Sequence, residues 1–117
     1  MSDLTELQKE KLKLLRNVSD PDKAQLNMNK YQKSLGFTNH VKVYPSINVL
    51  KKYMILDPNT NKWVHFGSIH HEDFLKHKNK DRQRRYFDRF TSLLGKDHES
   101  VKYPYSPYNL SLYVLWV

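Results

Sequence analysis

Residues 68–95 read SIHHEDFLKHKNKDRQRRYFDRFTSLLG, and the fold is decided by how this stretch is read. Tyr86, Phe87, Phe90, Leu93 and Leu94 recur at intervals of three and four, which places them on one side of a helix. At roughly 100° per residue the apolar arc spans about 120°. Gly95 follows the last apolar pair, where a helix is expected to stop. Arg82, Arg85 and Arg89 fall on one flank of the arc, and Arg84 falls away from it. Lys76, Lys78, Lys80, Arg82, Arg84, Arg85 and Arg89 are seven cations set against two acids, Asp81 and Asp88. The expected segment buries its rings and presents a ridge of guanidinium groups to an anionic partner. A planar guanidinium forks onto phosphate or carboxylate and is less strongly hydrated than an ammonium. The alternative is a solvated helix face with local ion pairs, such as Asp81 with Arg85.

Upstream of this stretch, residues 3–16 predict a first helix with a ragged stripe of Leu4, Leu7, Leu12, Leu14 and Leu15. Ser19-Asp20-Pro21 starts a second: Asp20 caps, and Pro21 suits a first position whose N–H has no helical partner. Ala24, Met28, Tyr31 and Leu35 step along one face of it, and Gly36 closes it. His40 to Tyr44 alternates and predicts a short strand broken by Pro45. Lys52–Leu56 and Lys62–Phe66 flank Asp57-Pro58-Asn59-Thr60-Asn61 and predict a β-hairpin, with Gly67 ending its second arm. Ser68 then caps a short helix through Lys78. The prolines of Lys102-Tyr103-Pro104-Tyr105-Ser106-Pro107-Tyr108 favour an extended path. Tyr103, Tyr105 and Tyr108 would lie along it, free to stack or to meet a partner with Trp116. The apolar end, Leu110 to Val117, is expected as an edge strand or a core plug, or else buried in a partner. The fold class is therefore α+β: an N-terminal helical hairpin (1–36), then a small unit (37–117) of antiparallel sheet with hairpin, basic amphipathic helix and apolar C-terminal strand.

Composition narrows the function. One ordinary domain of 117 residues, 38% hydrophobic, holds a thin core, reinforced by eight Tyr, five Phe and two Trp. The net charge of +8 predicts attraction to nucleic acid, an acidic protein surface or anionic lipid. The absence of Cys removes disulfides and thiolate chemistry and fits a reducing compartment. No run is long enough to span a membrane, and the polar, acidic N-terminus does not read as a secretory signal. Three isolated glycines form no phosphate loop, and no nucleophile elbow or cofactor motif is present.

His70, His71, Asp73 and His77 have metal-ligand chemistry. Asp73 and His77 lie four apart, a workable pair, but a closed site needs four ligands, and His65 and His98 stand at no telling spacing. Glu72 and Asp73 also suit a helix N-terminus. With Asn79 the cluster faintly resembles the histidine-metal nucleases, which makes metal-dependent cleavage a third-ranked alternative.

The second half resembles a small uncharacterised family found in large double-stranded-DNA viruses. The carrying residues are Lys51-Lys52-Tyr53, His65-Phe66-Gly67, Phe74, His77-Lys78, Arg84-Arg85-Tyr86, Arg89 and Leu115-Trp116. The likeness covers about residues 50–117. It departs at Asn79, where the family has Asp, and at Phe90, where it has His. The resemblance implies a virion setting, or otherwise the host cytoplasm or nucleus, and no established activity. The combined expectation is a non-enzymatic minor capsid or virion packing protein without cofactor, whose basic face meets capsid-protein acids or the packaged genome. A sequence-nonspecific DNA- or RNA-binding accessory protein is the runner-up.

Overall fold

The computed structural model describes residues 4–95 and 102–117, with the backbone alone for 93–95. The class is α+β, with a helical hairpin leading into a three-stranded antiparallel sheet. Helix α1 is Glu6–Val18. Thr5 Oγ1 accepts the Gln8 N–H at 3.2 Å, and the Gln8 carboxamide accepts the Thr5 N–H at 3.1 Å, closing a capping box that fixes the start. Only part of the expected leucine stripe is buried. Leu15 is fully enclosed and Leu12 partly, whereas Leu7 and Leu14 are exposed. The last two lie together, roughly 80° round the helix from Leu15. Helix α2, Pro21–Ser34, begins as its sequence predicts: Asp20 accepts the Lys23 N–H at 3.2 Å and Pro21 opens the first turn. Ala24, Met28 and Tyr31 are buried on its inner face.

The strand expected over His40–Tyr44 shrinks to β1, Tyr44–Pro45. A side chain accounts for this. Gln25 on α2 accepts the Val43 N–H at 2.7 Å and donates to the Val41 carbonyl at 3.0 Å, so groups that would have joined a ladder bond to a helix instead. Pro45 is the last residue of this strand, which ends there as expected, and the edge position permits its pairing with Tyr53. Strands β2, Lys51–Leu56, and β3, Trp63–Ser68, form the expected hairpin in the order β1-β2-β3. Asp57 shapes the turn, its carboxylate accepting the Asn59 N–H at 2.8 Å and its carbonyl the Asn61 N–H at 2.8 Å. Gly67 does not end the arm as expected but sits within β3 at φ +81°.

Ser68 caps no helix. Helix α3 is the single turn Phe74–His77, entered at Asp73 and closed by Lys78 in a left-handed conformation at φ 52°. Helix α4 is Lys80–Gly95. The Asn79 side chain accepts the Asp81 and Arg82 N–H groups at 3.0 and 3.1 Å and so starts it.

The C-terminal segment overturns two expectations. It is helical, with α5 over Pro107–Leu110 running into a π-helical turn over Ser111–Leu115, and no C-terminal strand is formed. Ser106 accepts the Asn109 N–H at 3.2 Å and Pro107 takes the first helical position, so the proline starts a helix rather than forbidding one. This segment lies between the other layers. Asn27 of α2 donates to the Val114 carbonyl at 2.9 Å, Tyr31 stacks on Tyr113 at 4.7 Å, and Gln83 of α4 donates to the Trp116 carbonyl at 2.9 Å. Leu110, Val114 and Leu115 join Leu15, Met28, Tyr53, Ile55 and Phe66 in one core.

Candidate anion-binding groove

Between β3, α4 and the C-terminal helix lies an open groove of about 730 Å³. Its floor depends on Gly67. A Cβ at that position would stand 2.9 Å from Leu115 Cδ1 and 3.2 Å from Lys52 Cβ, so only glycine admits both neighbours, and the positive φ independently favours it. Beneath the floor runs a buried ion pair. Lys52 on β2 is 2% exposed and Asp73 at the start of α3 is 1% exposed, and the ammonium lies 3.3 Å from Asp73 Oδ2. Burial pushes the Asp73 carboxyl up and the Lys52 ammonium down, and each partner's charge opposes the other's shift. The Asp73 N–H also donates to the Val18 carbonyl at 3.1 Å, and Tyr53 donates to Ser19 at 2.7 Å, tying the helical hairpin to the sheet just below the groove.

Arg82, Arg85 and Arg89 line one wall. Their spacing of three and four puts them along one helix face, about 10 Å from first to last at 1.5 Å rise per residue. None of them forms an ion pair with a carboxylate among the described residues, so the Asp81–Arg85 pair of the alternative reading is not made. The inner edge of this wall is aromatic. Tyr86 stacks on Trp116 with centroids 4.4 Å apart and planes 5° from parallel. The Arg89 guanidinium lies 5.5 Å from the centre of the Tyr86 ring, and the His77 ring meets Trp116 at 5.2 Å. The order is imidazole, indole, phenol, guanidinium. Burial pushes the Tyr86 hydroxyl up to about 12, so it stays neutral beside the arginines. Glu72 and Asp88 also reach the lining, as does His71. The three guanidinium groups outnumber those two carboxylates.

The seven cations of the expected ridge therefore separate. Lys76 donates to the Arg16 carbonyl near the end of α1 at 3.0 Å, and Lys80 sits 5.0 Å from the centre of the Phe74 ring. Lys78 and Arg84 are exposed outside the groove. Of the rings expected to stack or meet a partner, Tyr105 is fully buried with its hydroxyl on Gln32, because α2 packs against this segment. Trp116 is partly buried against Tyr86 and His77. Tyr103 donates to Asp57 at 2.5 Å and keeps 37% of its surface, and Tyr108 keeps 40%. Below Phe90, which is buried as predicted, the expected contribution of Leu93 and Leu94 lies outside the described side chains, as does His98.

The metal candidates do not converge. No group of three or more His, Asp or Glu side chains able to hold an ion forms among the described residues. Asp73 is occupied by Lys52, His70 is exposed, and His77 Nδ1 accepts the Asn79 N–H at 2.9 Å. His65 Nδ1 is bonded to Ser46 at 2.7 Å. Burial and the nearby Arg82 charge push His77 below its ordinary range.

Sequence reasoning missed Lys52, Gly67, Ser111 and Leu115 as parts of this site. Lys52 and Asp73 are 21 residues apart, so no local spacing joins them. Gly67 gave the one usable signal, a glycine between aromatic and polar residues near the end of a strand pattern, which marks a close approach as well as a stop.

Fold and site together define a class: a small basic α+β protein with an arginine-walled groove and an internally paired floor. Residues 41–90 match the model of a family of unknown function (DUF5754). The match spans the sheet, α3 and most of α4, and leaves out the helical hairpin and the C-terminal helix that completes the groove. No curated protein and no solved structure matches the chain. No helix among the described residues is long and apolar enough to cross a membrane.

Proposed function

We propose that this is a non-enzymatic packing protein of a virion, and that its groove grips an anionic partner there, capsid-protein acids or the packaged genome. The observation carrying this reading is that Arg82, Arg85 and Arg89 share one groove wall and form no ion pair with a carboxylate among the described residues. A guanidinium without a carboxylate of its own can fork onto a phosphate or carboxylate in a bidentate contact. The viral setting rests on the resemblance of residues 50–117, and the reducing environment on the absence of cysteine. Two measurements test the reading. Quantifying the protein in purified particles should give a fixed stoichiometry. Retention of the purified protein on an immobilised polyanion should fall steeply with salt and be lost when Arg82, Arg85 and Arg89 are all changed to Ala. Absence from particles removes the virion role, and retention indifferent to the three arginines removes the groove.

A further inference from the structure

From the shape of the groove we infer that its ligand is single-stranded nucleic acid, held by successive phosphates on Arg82, Arg85 and Arg89 with a base against Tyr108. The inference rests on the anion-binding groove read above, and takes as its anion a single nucleic-acid strand in place of capsid-protein acids or a packaged duplex. Proteins that read duplex commonly insert a convex element, a helix or ribbon, into a DNA groove about 12 Å wide. Here the arginines face a concavity of about 730 Å³, closed on one side by β3 and on the other by the C-terminal helix. A duplex is too thick to enter such a space, whereas a single strand tracks a charged groove and stacks its bases on exposed rings. The run of about 10 Å from Arg82 to Arg89 is long enough to meet more than one phosphate of a strand, whose phosphates follow at roughly 3.4 Å along the axis even when stacked in a helix.

The internal stack leaves one ring for a base. Tyr86 and Trp116 cover each other. Tyr108 stands one helical turn before Ser111, which lines the groove, and its ring packs against Phe90, the residue after Arg89, with centroids 6.1 Å apart. It is not itself a lining residue, but with 40% of its surface exposed it offers a partly open ring next to residues that are. Backbone contacts and a single stacking ring carry no sequence code, so binding should be indifferent to sequence.

Fluorescence anisotropy with the full chain tests this against three probes: a labelled mixed-sequence single strand of twenty nucleotides, the matching duplex, and poly-glutamate. The single strand should bind at least tenfold more tightly than the duplex. Its logarithmic salt slope should be about −2, falling by roughly 0.7 for each arginine changed to Ala. Tyr108→Ala should weaken the single strand on the order of tenfold, leave poly-glutamate unchanged, and be rescued by Tyr108→Phe. Equal or tighter duplex binding, or a Tyr108→Ala variant that is folded by circular dichroism and binds normally, overturns the inference. If poly-glutamate binds through the three arginines and the single strand does not, the inference falls while the anion groove stands. If no probe depends on those arginines, both fall.

Discussion

Helices α1 and α4 are both rich in cations and dispose of them differently. On α1, Lys9 and Lys13 reach back three residues to Glu6 and Glu10 at 3.3 and 3.5 Å. Lys11 donates to the carbonyls of Ser46 and Asn48 at 3.1 and 2.9 Å and pins the β1–β2 loop. On α4, Arg82, Arg85 and Arg89 make no such pairs among the described residues and share a groove. The chain's net charge of +8 counts both kinds of cation alike. A site is marked by cations that the fold positions and then leaves without an anion. Lys52 is the limiting case on the other side, enclosed and paired beneath the same groove. Cations consumed by the fold should matter for stability, and cations left open should matter for binding.

The largest effect belongs to Lys52. Removing one partner of a buried pair strands the other charge, so Lys52→Met or Asp73→Leu alone should cost about 3–5 kcal/mol in urea unfolding. The double variant Lys52→Met with Asp73→Leu should recover most of that loss, because two apolar side chains leave no charge to desolvate. Single variants as stable as the wild type would place Lys52 with the open cations and break the contrast.

Gly67 comes next. Alanine there must adopt the left-handed backbone and press on Leu115 and Lys52, which should cost roughly 2–4 kcal/mol by thermal or urea unfolding. Gly36 is the internal control. It has φ +80° but nothing within 4 Å of a Cβ, so Gly36→Ala should lose only the backbone part, about 1 kcal/mol. Equal losses at the two positions would mean that the groove floor is not tightly packed.

The open cations should behave in the opposite way. Arg85→Ala, at an exposed position, should change stability by no more than about 0.5 kcal/mol, and the half-buried Arg82→Ala by little more, while each weakens retention on a polyanion. A stability loss like that of Lys52→Met would show that these arginines are structural and leave the groove without free cations.

How much of this was legible in the chain follows the same division between local and distant causes. Asp20-Pro21 announces α2, and Asp57 to Asn61 announces the hairpin, because capping and turn chemistry act over two or three residues. Ser106-Pro107 carries the same cap-then-proline signal as Asp20-Pro21. The two prolines, Pro104 and Pro107, instead predict an extended path when they are read without that cap. The spacing of Leu110 and Val114 was helical all along. Val41 to Val43 alternates as a strand should, but the Gln25 carboxamide took its hydrogen bonds, and a side chain 16 to 18 residues away is invisible to a local pattern. In the groove, the flank of Arg82, Arg85 and Arg89 was readable from helical spacing. What it faces was not, because Lys52, Gly67 and Leu115 come together only through packing.

The smallest effect is also a direct report on the open cations. His77 lies beneath Trp116, and burial with the Arg82 charge holds its pKa below the ordinary 6.5. The folded state therefore binds fewer protons than the unfolded chain near pH 6, so the contribution of this group to stability is present above 6.5 and is lost as pH falls through its folded value. Followed by NMR, the His77 ring should titrate below 6.5, and Arg82→Gln should move its midpoint upward because a repelling charge is gone. Phosphate anions bound at Arg82 should move it the same way by neutralising that charge. If Arg82→Gln leaves the midpoint unchanged, the Arg82 charge does not reach His77, and the imidazole end of the stack is electrically separate from the groove wall.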